Sequence, residues 1–264
     1  MELTVNGRTA YCYTGGRPFD ARLPAVVFIH GAQNDHSVWG LQSRYFAHHG
    51  RTVLVPDLPG HGRSPGPVLT SVEAMADWLV ALLDAAGVAR ASLVGHSMGS
   101  LISLDAAARH PQRVAHIALI GSAVPMPVSE VLLEAARSEE ARAENMVNIW
   151  SHGPRGHLGG STVPGLWLIG VNRRLMERAA PGVLFNDLNA CNAYSAGTEA
   201  AARVGCPALV IAGSRDQMTP VKAAKALAET IPGARLVTIE GCGHSLLAEF
   251  PDAVLDALRG FLLK

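Results

Sequence analysis

Six short segments of this chain are largely apolar at consecutive positions, not at alternate ones: Ala25–Ile29, Thr52–Val55, Ser92–Val94, Ile117–Ile120, Ala208–Ala212 and Leu236–Ile239. A strand with one wet face alternates apolar and polar residues. Continuous runs instead predict strands buried on both faces, as in a parallel sheet covered by helices. The intervening segments carry helical periodicity. Val72, Met75, Ala76, Leu79 and Leu83 fall on one stripe of a helix predicted over 71–83, with Gly87 as its stop. Further helices are predicted over 100–109, 221–230 and 252–263. Such alternation implies an α/β fold, with a mostly parallel central sheet flanked by helices. Ahead of it, Asn6-Gly7 between Leu3–Val5 and Ala10–Tyr13 predicts a hairpin.

The alternation stops between about residues 125 and 200, where helical segments occur without buried strand runs. The chain therefore divides into a core of 1–124 and 201–264 and an inserted helical cap of 125–200. An insertion between a strand and the next helix lies at the carboxyl end of the sheet. Active sites of open α/β sheets also lie there, so the insertion is placed to act as a lid.

The run Ser92–Val94 leads into Gly95-His96-Ser97-Met98-Gly99, a G-x-S-x-G pattern followed by an apolar helix. This strand–turn–helix context makes Ser97 a candidate nucleophile, because the turn is sharp and lifts the hydroxyl above the sheet. The residues two before and two after must be small for strand and helix to approach, and both are glycine.

A serine hydroxyl needs a base to take its proton. In this context the base is a histidine late in the chain, after an acid. His244, in Gly241-Cys242-Gly243-His244 after the last predicted strand, is the candidate. The acid holds the imidazole in one tautomer and stabilises its charged form. Asp216, in Gly213-Ser214-Arg215-Asp216 after the strand 208–212, suits that role; the loop 121–124 after the preceding strand holds no carboxylate. Two backbone donors must meet the oxyanion. The amide of Met98 is one, and Ala32, in His30-Gly31-Ala32-Gln33, supplies the other, with Gln33 in reserve.

These motifs in this order, with Asp57-Leu58-Pro59-Gly60-His61-Gly62-Arg63-Ser64 between them, resemble the α/β-hydrolase superfamily, in its serine-nucleophile branch with a helical cap. The resemblance spans nearly the whole chain and implies the α/β-hydrolase fold. It also implies that Asp57, His61 and Ser64 are structural. Serine at the elbow argues against the aspartate-bearing haloalkane dehalogenases and epoxide hydrolases. Ala32-Gln33-Asn34-Asp35 stands where carbon–carbon bond hydrolases carry a Gly-Pro pair. The leading reading is a carboxylic-ester hydrolase working through an acyl-enzyme. Carbon–carbon bond hydrolase, lactonase, thioesterase and perhydrolase share the triad, and a non-enzymatic ligand receptor is the reading from another class.

Composition narrows the partners. Apolar residues make up 48% of the chain, charged residues 17%, and 22 basic side chains balance 22 acidic ones. That describes a globular protein with no basic stripe for nucleic acid. No run is long and apolar enough for a membrane span, and the N-terminus has no signal-peptide pattern, so a cytoplasmic location is expected. Cys12, Cys191, Cys206 and Cys242 are scattered and expected to be free thiols. There is no H-E-x-x-H, and His152 and His157 are not at helical spacing; no metal or cofactor is expected. The expected partner is a small to medium, largely uncharged ester or related acyl compound. Seven arginines against eight acids over 123–203 leave no net field for an ionic one. Gln33, Trp150, Trp167 and Met218 are the candidate pocket residues, while Trp39 and Trp78 are expected in the core.

Overall fold

All six apolar runs form strands in the computed structural model, which describes residues 1–161 and 163–263. The strands are β1 (Glu2–Val5), β2 (Arg8–Tyr13), β3 (Ala25–Ile29), β4 (Thr52–Pro56), β5 (Ala91–His96), β6 (Val114–Ile120), β7 (Ala208–Gly213) and β8 (Arg235–Ile239). They form one sheet in the order β1-β2-β4-β3-β5-β6-β7-β8. The β1–β2 hairpin is antiparallel and joins β4 antiparallel; every other pairing is parallel. Its turn places Asn6 at φ 49° and Gly7 at φ 77°, the positive pair that a type I′ turn requires.

Burial on both faces follows from the strand sequences. Val27, Ile29, Leu93, Ile117 and Val210 pack to one side, with Leu79, Leu82, Leu101 and Leu227. Their strand neighbours Val26, Phe28, Val94, Ala118 and Leu209 pack to the other, with Phe46, Leu246, Val254 and Leu258. Each fully buried aliphatic or aromatic side chain contributes on the order of 1.5–3 kcal/mol of transfer free energy. The first layer is built by α2 (Val72–Ala85), α3 (Met98–Arg109) and α10 (Val221–Thr230); the second by α1 (Gly40–Ala47), α11 (Leu246–Glu249) and α12 (Pro251–Leu262). Ser71 caps α2 by accepting from Ala74 N–H. Trp39 and Trp78 are both buried. So are Cys12, Cys191 and Cys242, and all four cysteines are free.

Two elements differ from expectation. β8 is half exposed and not buried on both faces, because it is the last strand and pairs only with β7. Helix α1 was not foreseen: it turns Gln42 and Ser43 inward beside Phe46 and leaves Leu41 outside, the reverse of a normal apolar stripe.

Between β6 and β7 the chain runs through a helical insertion: α4 (Glu130–Ser138), α5 (Glu140–Ser151), α6 (Pro154–His157), α7 (Leu168–Met176), α8 (Val183–Ala193) and α9 (Gly197–Ala202). The insertion has its own small core of Leu132, Ala135, Ala143, Met176, Leu184 and Leu188, with Trp150 packed against it. The strand order reverses at β3, which lies between β4 and β5. Such a switch point opens a crevice at the carboxyl ends of the strands. The loops after β3 and β5 both begin there.

Candidate active site

Ser97 links β5 to α3 with φ 52° and ψ −119°. A non-glycine residue held there stores on the order of 1–3 kcal/mol of strain and persists only where its surroundings enforce it. The enforcement is steric. A Cβ on Gly95 would fall 2.0 Å from Gly99 O, and one on Gly99 would fall 2.3 Å from Ile29 O. Helix α3 therefore starts against the backbone of β3 and β5, a fit open only to glycine at both positions. Ser97 N–H donates to Ile120 O at 2.9 Å, which fastens the turn to β6 as well.

Asp216 and His244 meet after β7 and β8. His244 Nδ1 lies 2.8 Å from Asp216 Oδ2, with both residues buried. Asp216 Oδ1 accepts the amides of Met218 at 2.8 Å and Thr219 at 2.7 Å, and Oδ2 accepts the Thr219 hydroxyl at 2.7 Å. Burial works against the Asp216 charge. The nearby His244 and these hydrogen bonds outweigh it and hold the carboxyl below its usual range. An ionised acid facing Nδ1 favours a proton there and leaves Nε2 as the base.

The imidazole reaches back across the sheet over Gly121, whose φ is 57°. A Cβ on Gly121 would sit 3.1 Å from His244 Cε1. His96, next to Ser97, donates from Nε2 to His244 O at 2.8 Å, and the two rings lie 4.9 Å apart. Burial, with His244 close by, pushes the His96 pKa down to about 3, so it stays neutral. Serine and histidine thus share one corner of the sheet, although no direct Ser97–His244 hydrogen bond occurs among the described residues. Unliganded sites often show this, and the bond tightens when substrate binds. The insertion fastens the histidine loop: Glu249 accepts Gly243 N–H at 3.0 Å and Gly153 N–H at 2.9 Å, and Ser245 N–H donates to Ser151 O at 2.7 Å.

On the opposite side, Gly31 lies against the elbow: a Cβ there would be 3.3 Å from Ser97 Cβ. The amides of Ala32 and Met98 make no hydrogen bond among the described residues. Gln33 N–H, in contrast, is engaged at 2.9 Å by Asp187 Oδ2, which removes it from the reserve of oxyanion donors. Asp187 faces His61, not His244. Asp57 accepts the amides of His36 and Arg63, and Ser64 donates to Asp57 O, so both serve loop structure.

A groove of about 1170 Å³ runs between α7 and the segment 34–44, reaching the site at His96 and Ser245. Trp167 and Val171 line it from the insertion and Leu41 from α1. Trp167 is 62% exposed, and Leu41 and Val171 on the same groove are exposed with it, which makes an apolar stretch of wall. Of the other expected pocket residues, Trp150 packs in the insertion core, Gln33 is buried under it, and Met218 lies beyond the groove beside Asp216. Sequence reasoning missed Thr219 and the arginines of the groove wall, Arg44, Arg174 and Arg178. Asp35, His36 and Asp57 bring three ligand atoms within 4.8 Å of one another. Their oxygens are already taken by Ser37 N–H, the Arg178 guanidinium, His36 and Arg63 N–H, a poor donor set for a cation.

The description "Alpha/beta hydrolase family" fits residues 26–257. The chain is 32% identical to a pimeloyl-[acyl-carrier protein] methyl ester esterase of Aromatoleum aromaticum, over 90% of this chain and 99% of that one. Among solved structures, an N-acyl homoserine lactone degrading enzyme superposes with a TM-score of 0.84 at 27% identity, covering 99% of this chain and 100% of its own. The enol-lactonase of Burkholderia xenovorans superposes with a TM-score of 0.87 at 24% identity, covering all of both chains, a likeness of fold.

Proposed function

The chain belongs to the alpha/beta hydrolase family, and on that premise we propose that it hydrolyses carboxylic esters through an acyl-enzyme formed on Ser97. The observation that carries this reading is the buried Asp216–His244 pair, 2.8 Å long, whose imidazole lies over Gly121 and beside His96, the neighbour of a serine held with φ 52°. Ser97 Oγ attacks the ester carbonyl while His244 Nε2 takes its proton. The amides of Met98 and Ala32 receive the oxyanion. His244 then returns the proton to the departing alkoxide, which leaves as the alcohol. Water, activated by the same histidine, attacks the acyl-enzyme and releases the acid. Asp216 stabilises the transient imidazolium throughout.

The insertion acts as the cap that selects the acyl group, and the apolar wall of Leu41, Trp167 and Val171 suits a chain of medium length. Arg44, Arg174 and Arg178 line the same groove. Glu177 pairs with Arg174 and Asp35 with Arg178. Among the described residues Arg44 is thus the groove arginine without an ion pair, a single positive charge that favours an acyl group with a negative far end. The Aromatoleum relative is named for a methyl ester, which is consistent with ester cleavage. The reading is tested by comparing wild type and Ser97→Ala on p-nitrophenyl acetate. Loss of the triad serine typically costs about 10⁴- to 10⁶-fold. A variant retaining a tenth of wild-type turnover would overturn it.

A further inference from the structure

The loop after β3 is gripped by the insertion. Gln33 takes φ 52°, in the left-handed region, and is buried. Its amide donates to Asp187 Oδ2 at 2.9 Å, and its side-chain Nε2 donates to Glu144 Oε1 at 3.0 Å. Asp187 belongs to α8 and Glu144 to α5. Two acids from separate helices of the insertion therefore hold one residue of the core loop.

Asp187 is fully buried and has further partners: Asn186 Nδ2 donates to Oδ1 at 3.1 Å, and His61 Nε2 lies 2.8 Å from Oδ2. The other ring nitrogen of His61 faces Pro59 O at 3.1 Å. Both nitrogens meet acceptors, and only the doubly protonated ring satisfies both. Burial opposes that charge, but the Asp187 carboxylate outweighs it and raises the His61 pKa.

A buried ion pair is a poor way merely to attach a helix, since apolar side chains of similar volume commonly do as well or better. It does fix the direction of a carboxylate oxygen, and here that oxygen receives Gln33 N–H. Anchoring this peptide leaves only the two backbone dihedrals of Ala32 between it and the Ala32 N–H, and so restricts where that amide points. We propose that Asp187 and His61 form a positioning pair, assisted by Glu144, that sets the Ala32–Gln33 loop for oxyanion binding and so couples seating of the insertion to catalysis. This rests on the reading of Ala32 N–H as an oxyanion donor.

The test combines kinetics on p-nitrophenyl acetate with hydrogen exchange across residues 30–35, on wild type, Asp187→Ala, Asp187→Asn and Gln33→Gly. Asp187→Ala is expected to lower kcat by about 10- to 100-fold, the scale of a misplaced donor, with KM changed by less than about threefold. Its amides over 31–34 exchange faster while those of β3 and β5 do not. Asp187→Asn keeps an acceptor oxygen for Gln33 and recovers most of the loss. Gln33→Gly adopts positive φ freely and leaves the ion pair intact; it lowers kcat, measured per folded protein, by a smaller factor, and it decides the matter if Asp187→Ala does not fold. The proposal is overturned if kcat stays within about twofold in both Asp187→Ala and Gln33→Gly, or if activity falls only with the folded fraction. If wild type turns over no ester, the hydrolase reading fails instead. Exchange over 31–34 then judges the pair alone, and no change in Asp187→Ala refutes it.

Discussion

Asp216 Oδ2 and His244 Nδ1 stand 2.8 Å apart with almost no exposure, although the two residues are 28 positions apart on different loops. The contact fixes the tautomer that leaves Nε2 free. Asp216→Asn presents an amide that can bond the wrong tautomer and should lower kcat by about 10⁴-fold with little change in fold. Thr219→Val removes one donor from the same oxygen and should cost less, on the order of tenfold. Steady-state kinetics on p-nitrophenyl acetate decides it; a mild Asp216→Asn phenotype would mean that another carboxylate orients the base.

Two buried histidines should shape acid stability. Burial, and after it the neighbouring His61, holds His30 at about 4; burial, and after it His244, holds His96 at about 3. Both folded values lie below the unfolded value of about 6.5. Their contribution is therefore complete above pH 6.5 and is lost as pH falls towards 4 and then 3. Each steepens the fall by up to about 1.4 kcal/mol per pH unit in that window. His61, with its raised value, works in the opposite sense and loses its contribution only as pH rises. Urea midpoints from pH 7 to 4 should decline, and His96→Asn should decline less steeply. Equal slopes would count against a neutral buried His96.

Acyl selection should depend on Trp167. A Cβ on Gly170 would lie 2.1 Å from Trp167 Cε3, so the indole rests directly on that glycine. Trp167→Ala and Gly170→Ala should therefore alter chain-length preference more than turnover of the acetate ester. Across p-nitrophenyl esters, acetate to hexanoate should exceed palmitate, and among methyl esters those of dicarboxylic acids should exceed uncharged ones of equal length. Arg44→Ala should narrow the latter gap, with salt doing the same. A best substrate of sixteen carbons would refute the cap's assigned role.

The centre of the sheet was legible because its strands are short, apolar runs: Ala25–Ile29 matches its predicted limits residue for residue, as does the helix Val221–Thr230. The elbow, Asp216 and His244 were legible for the same reason, since each follows a strand on a glycine-bearing turn. Helix α1 was hidden because it buries Gln42 and Ser43 and exposes Leu41. The role of Asp187 was hidden because its partner His61 lies 126 residues away, and no local pattern marks such a pair. Which side of its helix Trp150 turns to the insertion core was not legible, because the sequence does not tell the two faces apart.

Covalent trapping of Ser97 tests the central claim most directly. Wild-type protein treated with a fluorophosphonate and digested should carry one phosphonyl group per chain, on the peptide containing Ser97. An activated ester should give a burst of one chromophore per chain before steady turnover. Ser97→Ala should show neither adduct nor burst, while His244→Ala should label far more slowly. An adduct on another residue, or a burst that persists in Ser97→Ala, would contradict the account.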